Sequence, residues 1–435
     1  MSRRRAGAVW YAGGALSSAL LYQTFATYAA FYYIDHLQVP AAAIGTGMAA
    51  FGIWNAANDL LIGYWSDRTR TRWGRRRPFM FAGTLPLCLV FACLWSPPGA
   101  LTTTRLFAWF LVSAFLFDFF YTMVVLNWAA LFPEVARDLN ERAPLAAVRH
   151  CFRIAGTVAA VAATPLLYAS IGWAGMGLLF AAVSAVFLFL SAWGAAERPE
   201  FSQGEPLAPG PALRHTLFNR AFLTFMAANL AVNFTFVAMS TTFPFYAKYA
   251  LGLTEGQTSA LLALLFMVAF SLVYPWGRWA VRRGTRPVAL AAVSAFGLAL
   301  VPFGLARGFL DGLGAAVAAG ATLAGVIVLF DLLLAEVVDD DAIRTGLRRE
   351  GMYYGVNGVL IRLGVSLQAI VMGGVLSLTG YDPALGVGSQ PLATLVGLRL
   401  MLSGLPVVAL AVAALALTAY PLRGTREHVV STVEK

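Results

Sequence analysis

The stretch Asn58-Asp59-Leu60-Leu61-Ile62-Gly63-Tyr64-Trp65-Ser66-Asp67-Arg68-Thr69-Arg70-Thr71-Arg72-Trp73-Gly74-Arg75-Arg76-Arg77-Pro78 decides the fold of this chain. It sets a carboxylate, Asp59, inside an apolar segment and then ends that segment in a burst of six arginines. An acid in hydrocarbon is costly and is kept for handling ions or substrates. A block of arginine just past an apolar span marks the cytoplasmic side of a membrane. One short segment thus supplies a candidate working residue and an orientation.

Composition agrees. The 435 residues are 59% hydrophobic and only 12% charged, with a mean hydropathy of +0.72; soluble domains are about a quarter charged. Apolar runs of about 20 residues recur along the chain, the mark of a polytopic helical membrane protein. A net charge of +10 would point to nucleic acid in a soluble protein. Here the arginines gather between spans, so no nucleic-acid partner is expected. Cys88, Cys93 and Cys151 lie in or beside apolar spans without metal spacing, and His36, His150, His215 and His428 lie near segment ends. No metal or cofactor is expected. There is no HExxH, no Gly-x-x-x-x-Gly-Lys-Ser/Thr and no nucleophile elbow, so the chain does not read as an enzyme. Met1 to Arg5 plus an apolar run imitates a signal peptide, but the run to Ile34 is too long for one.

Twelve apolar segments are expected, at 8–34, 41–66, 78–96, 105–131, 149–171, 173–194, 219–247, 257–281, 287–306, 311–337, 351–378 and 399–420. A proline-rich polar stretch at 196–218 divides them into an N-terminal bundle (1–195) and a C-terminal bundle (219–420), with a tail at 421–435. Alternate loops hold Arg3 to Arg5, Arg68 to Arg77, Arg137 and Arg142, Arg198 and Arg214, Arg278 to Arg286, Arg344 to Arg349, then Arg423 and Arg426. The loops between them hold little beyond Arg105, Lys248, Arg307 and Arg399. That alternation predicts an even number of spans with both termini cytoplasmic.

Tyr64 to Pro78 has a degraded partner in Tyr274 to Pro287, and Pro133 to Arg149 faces Glu336 to Arg349. A unit of six helices used twice in one orientation is how the major facilitator architecture is built. Gly63-x-x-x-Asp67-Arg68 with Gly74-Arg75-Arg76 resembles the loop signature of that superfamily. The fuller run from Asn58 to Pro78 is similar to the glycoside–pentoside–hexuronide:cation symporters, the melibiose permease group. So are Arg344-Thr345-Gly346, Arg348-Arg349-Glu350-Gly351, Tyr354-Gly355 and Gly380-Tyr381-Asp382-Pro383. The resemblance implies twelve transmembrane helices in two six-helix halves. It also implies acids on the first, second and fourth helices, where this chain has Ala19, the pair Asn55 and Asp59, and Val125. A basic residue on the eleventh helix matches Arg362, and one opening the fifth matches Arg149.

The residues themselves define three groups. Asn55 and Asp59, four apart, share a helix face and read as a cation or proton site, or as a structural acid paired with Arg149 or Arg362. Asp118 lies two turns before Val125 on the same face. It either stands in for the absent acid or is an acid near the outer surface, reachable by water. Asp331 is either a partner of Arg362 or a transport residue.

Arg149, Arg362, Trp54, Tyr28, Asn127, Trp128, Asn233 and Asn357 are candidates to bind substrate, with Asn229 sharing the face of Asn233. Arginine forks and amides bond hydroxyl or anionic groups while aromatics stack on a ring. Each also has a packing explanation. Gly63, Asp67, Arg68, Arg75 and Arg76 read as a conformational latch, with Gly63 permitting close helix approach and Asp67 pairing with arginine.

Together these predict a secondary active transporter in the bacterial inner membrane, working as a monomer by alternating access. The cargo is a sugar-like solute, coupled to H+ in preference to Na+. A lone buried acid can take up and release a proton near neutrality. A lysophospholipid or other amphipath is the alternative cargo, and export of a hydrophobic metabolite a third possibility. A sensor without transport is disfavoured.

Overall fold

A computed structural model describes residues 3–99, 101–136, 139–195, 219–345 and 350–422, and everything below concerns those residues. The polar stretch 196–218, the motif residues Gly346 to Arg349 and most of the tail lie outside the described residues. Helices account for nearly all of the rest, as apolar sequence must arrange when no water satisfies its backbone.

The first compact unit, Met1–Glu205, runs α1 (Arg3–Phe31), α2 (Ala41–Arg68), α3 (Arg77–Leu94), α4 (Thr103–Ala130), the short α5 (Phe132–Val135), α6 (Leu139–Val158) and α7 (Thr164–Gly194). The helix continues through Ala159–Ala163 from α6 into α7 and breaks at Gly172, whose φ of 74° and ψ of 169° suit glycine alone. Helix α1 packs on α6 and α7, α2 on α4, and α3 on α4 and α7.

The second unit, Pro206–Lys435, runs α8 (Arg220–Phe245), α9 (Glu255–Arg283), α10 (Thr285–Leu305), α11 (Phe309–Thr345), α12 (Glu350–Leu378), α13 (Leu392–Arg399) and α14 (Leu405–Thr418). Asn219 caps α8 through its side chain, and Thr254 with Gln257 forms a capping box at α9. Here α8 packs on α12 and α14, α9 on α11, and α10 on α11 and α14. The order of pairing is that of the first unit, element for element.

By length and composition, nine helical stretches among the described residues can cross a membrane, and Pro144–Gly194 counts as one of them despite its break. Helices α1 and α2 fall short of that set. The cause is their polar load: Ser17, Ser18, Gln23, Thr24 and Thr27 on α1, and Asn55, Asn58, Asp59, Asp67 and Arg68 on α2.

Where hydrocarbon gives helices no reason to associate, small residues let backbones meet. A methyl group on Gly156 of α6 would overlap the Leu16 carbonyl of α1, and one on Gly320 of α11 would overlap the Leu265 carbonyl of α9.

Candidate functional site

Helix α2 presents Asn55, Asn58 and Asp59 on the face it packs against α4, and α4 answers with Asp118 and Thr122, also one turn apart. Asp118 is only 1% exposed, which removes the water-facing alternative for it. Its carboxylate accepts from the Asn55 amide and, at 2.9 Å, from the Asn58 amide. The same Asn58 nitrogen donates to the Asp118 backbone carbonyl at 3.0 Å. Thr122 donates its hydroxyl to Asp59 at 3.1 Å. Charged groups in apolar surroundings persist only with such partners. The Asn58 side-chain oxygen is buried and accepts no hydrogen bond among the described residues. The cluster therefore offers two carboxylates, an orphan amide oxygen and a hydroxyl within one helix–helix contact.

Asn58 and Thr122 were not among the sequence candidates. Asn58 stood in the diagnostic stretch, and Thr122 is four residues past Asp118, so two polar pairs of equal spacing on neighbouring helices was the available signal.

The aromatic candidates divide. Trp54 stacks on Phe115 with ring centroids 5.6 Å apart and planes 3° from parallel, its buried indole nitrogen lacking an acceptor among the described residues. Tyr28 is fully buried and donates to the Val161 carbonyl at 2.5 Å. Trp128 donates to the Tyr11 carbonyl at 2.9 Å, and Tyr11 returns a bond to the Trp128 carbonyl at 2.7 Å. Tyr28 and Trp128 thus commit their donors to tying helices together. Asn127 is likewise buried and donates to the Met123 carbonyl at 2.9 Å, within its own helix. Arg149 lies over the rings of Trp128 (4.4 Å), Phe132 (4.5 Å) and Tyr11 (5.6 Å), an aromatic cage.

At the junction of α2 and α3, Asp67 faces Arg76 at 3.5 Å and Arg75 at 3.8 Å, and Arg75 also reaches the buried Glu134 at 3.8 Å. Arg68 instead lies 4.0 Å over the Tyr64 ring. Gly63 corrects the sequence expectation: a methyl there would have only the Leu126 side chain nearby, at 3.8 Å, so no close approach depends on it. Glu134 joins the network because α5 turns it back toward the α2–α3 loop, which spacing alone does not reveal.

In the second unit Asn229, Asn233 and Asn357 meet across α8 and α12. Asn233 donates to the Asn229 side-chain oxygen at 2.8 Å and to its backbone carbonyl at 2.9 Å, and Asn229 donates to the Asn357 oxygen at 2.6 Å. Arg362 is half-buried on α12 and Asp331 exposed on α11.

These features define a multi-pass helical membrane protein with buried polar clusters inside its helix contacts, the build of a transporter and not of an enzyme. Residues 10–424 match the model of the family described as MFS/sugar transport protein, and the chain belongs to that family. It is 23% identical to the isoprimeverose transporter of Lactiplantibacillus pentosus, over 96% of this chain and 88% of that one. It is also 23% identical to the sodium-dependent lysophosphatidylcholine symporter 1-A of Danio rerio, over 86% of this chain and 78% of that one. Among solved structures it resembles the nucleoside transporter NupG, with a TM-score of 0.68 at 14% identity, covering 97% of this chain and all of that one. That likeness speaks for the fold.

Proposed function

We propose that this protein is a cation-coupled symporter that carries a sugar- or glycoside-like solute by alternating access. The observation that carries the reading is the buried α2–α4 cluster, in which Asn55 and Asn58 hold Asp118 while Thr122 holds Asp59. Intramembrane acids of this kind are the residues that bind a coupling ion. Twelve spans in two six-helix halves, with both termini in the cytoplasm of a bacterial cell, fit the recurring helix pairing and the arginine alternation.

A proton is favoured over sodium as the coupling ion. Asn55 stands where the family resemblance implies a second acid on α2, so the site has one negative charge fewer to offer a metal cation. Asp118 is the fixed charge, held by two amides. Asp59, less deeply buried, is the group that loads and releases the proton. In this reading Arg149, Arg362, Trp54, Asn233 and Asn357 orient the solute. Asp67 with Arg75 and Arg76 stabilises the state closed toward the cytoplasm.

Purified protein in liposomes with imposed pH or sodium gradients tests this directly. A pH gradient should drive accumulation of isoprimeverose or a related disaccharide, and Asp59→Asn should abolish that accumulation while leaving exchange across equal gradients. Undiminished accumulation by the variant would remove Asp59 from the coupling role. The 23% identity to a lysophosphatidylcholine symporter supports a second cargo, an amphipath. Thermal stabilisation by lysolipid and not by disaccharides would decide for it.

A further inference from the structure

Among the polar contacts that tie α8 to α12, two differ in one informative way. Gln368 donates to the Thr241 hydroxyl at 2.7 Å, Thr241 donates to the Val237 carbonyl at 2.9 Å, and both side chains are at least nine-tenths buried. That contact is sealed: both of its side chains lie inside the helix pair. The three asparagines form an open one. Asn233 gives to Asn229 and Asn229 gives to Asn357, so every bond points the same way. Asn229, in the middle, is 6% exposed, whereas Asn233 and Asn357 at the two ends are half-buried.

An amide has a carbonyl oxygen and an NH2 group, and the chain uses only part of each end. Among the described residues nothing accepts from the Asn357 NH2 and nothing donates to the Asn233 side-chain oxygen. Both ends lie on helices that cross the membrane, where a polar group left without a partner costs free energy. Such ends are met by water or by a polar solute. A one-way run of hydrogen bonds also polarises its ends, strengthening the last donor and the last acceptor.

We infer that Asn233 and Asn357 form a hydroxyl-recognition subsite, with buried Asn229 as the residue that positions both. The inference rests on the reading of the cargo as a sugar-like solute and narrows it to uncharged, polyhydroxylated molecules. A hydroxyl both donates and accepts, so one hydroxyl, or two neighbours on a ring, complements a strengthened donor at Asn357 and a strengthened acceptor at Asn233. A carboxylate or phosphate, which only accepts, meets one end and is repelled by the other. Asn229 sets the polarity. With an aspartate in its place both neighbours would donate inward, turning the Asn357 oxygen toward the solute and leaving two acceptors.

The test is equilibrium binding to the full-length protein in detergent. The probes are disaccharides led by isoprimeverose, together with analogues in which single hydroxyls are replaced by hydrogen or fluorine. Asn357→Ala and Asn233→Ala should each weaken binding about three- to tenfold, the loss of one hydrogen bond. Wild type should tolerate fluorine, which accepts from Asn357, better than hydrogen at the recognised position. Asn229→Asp should lose that preference for fluorine, and melting curves for it and for Asn229→Ser establish that the variants are folded. Equal weakening of every analogue by Asn229→Asp would make the chain merely structural and overturn the inference. Unchanged binding in the alanine variants would also overturn it while leaving the sugar reading intact. A wild type that binds no disaccharide would overturn both.

Discussion

Asp118 on α4 receives both protons of one side-chain amide on α2: the Asn58 nitrogen donates to its carboxylate at 2.9 Å and to its backbone carbonyl at 3.0 Å. The two helices are thereby held in one register at the point where the acids lie. Replacing Asn58 by leucine would remove a hydrogen bond to a buried carboxylate, at a cost of about 1–3 kcal/mol. Asn58→Leu should therefore melt at a clearly lower temperature than wild type in detergent. Equal melting temperatures would show that the amide contributes nothing to the α2–α4 contact.

Thr122 acts on Asp59 through one hydroxyl at 3.1 Å. Thr122→Ser keeps that donor and Thr122→Val removes it with little change of shape. The valine variant should slow gradient-driven uptake, and the serine variant should restore the wild-type rate. Equal rates for all three would disconnect the hydroxyl from coupling.

The Asp67 pairs with Arg75 and Arg76 are long, and the acid is 61% exposed in its side chain. Exposed pairs of this kind stabilise a fold by about 0–1 kcal/mol. Asp67→Asn should leave the melting temperature nearly unchanged and slow transport severalfold, as the proposed role in switching requires. A large loss of stability with a normal transport rate would mark it as structural.

Glycine placement gives a paired expectation. Gly63→Ala should fold and transport, since its nearest neighbour would be a flexible leucine tip at 3.8 Å. Gly156→Ala should fail to assemble, because the Leu16 backbone occupies the space a methyl needs. Yield of monodisperse protein after size-exclusion chromatography distinguishes the two.

Arg149 is held by three rings, each contact worth about 0.5–2 kcal/mol depending on how dry it is. Arg149→Leu should lower the melting temperature more than Arg149→Lys, which retains a cation over the rings but loses the flat face that stacks on them. If lysine and leucine are equally damaging, the planar guanidinium carries the whole effect.

Much of this was legible in the one-dimensional pattern. Apolar length set the helices, and the glycine at 172 stands in the gap between two apolar segments where the backbone turns to positive φ. The helical repeat alone brought Asn55 and Asp59 to one face, and Asn229 and Asn233 to another. What the pattern concealed was pairing between helices. That Asp118 meets Asn55 and Asn58 depends on how α2 crosses α4 sixty residues away, and no local spacing encodes a crossing register. For the same reason the donors of Tyr28 and Trp128 looked available in sequence and prove to be committed to backbone carbonyls on other helices.

The sequence by itself determined a helical membrane transporter of a known family, because the cost of burying charge and backbone in hydrocarbon is written in composition and periodicity. Only the tertiary structure decided which polar groups hold one another, because a hydrogen bond is settled by separation and direction in space.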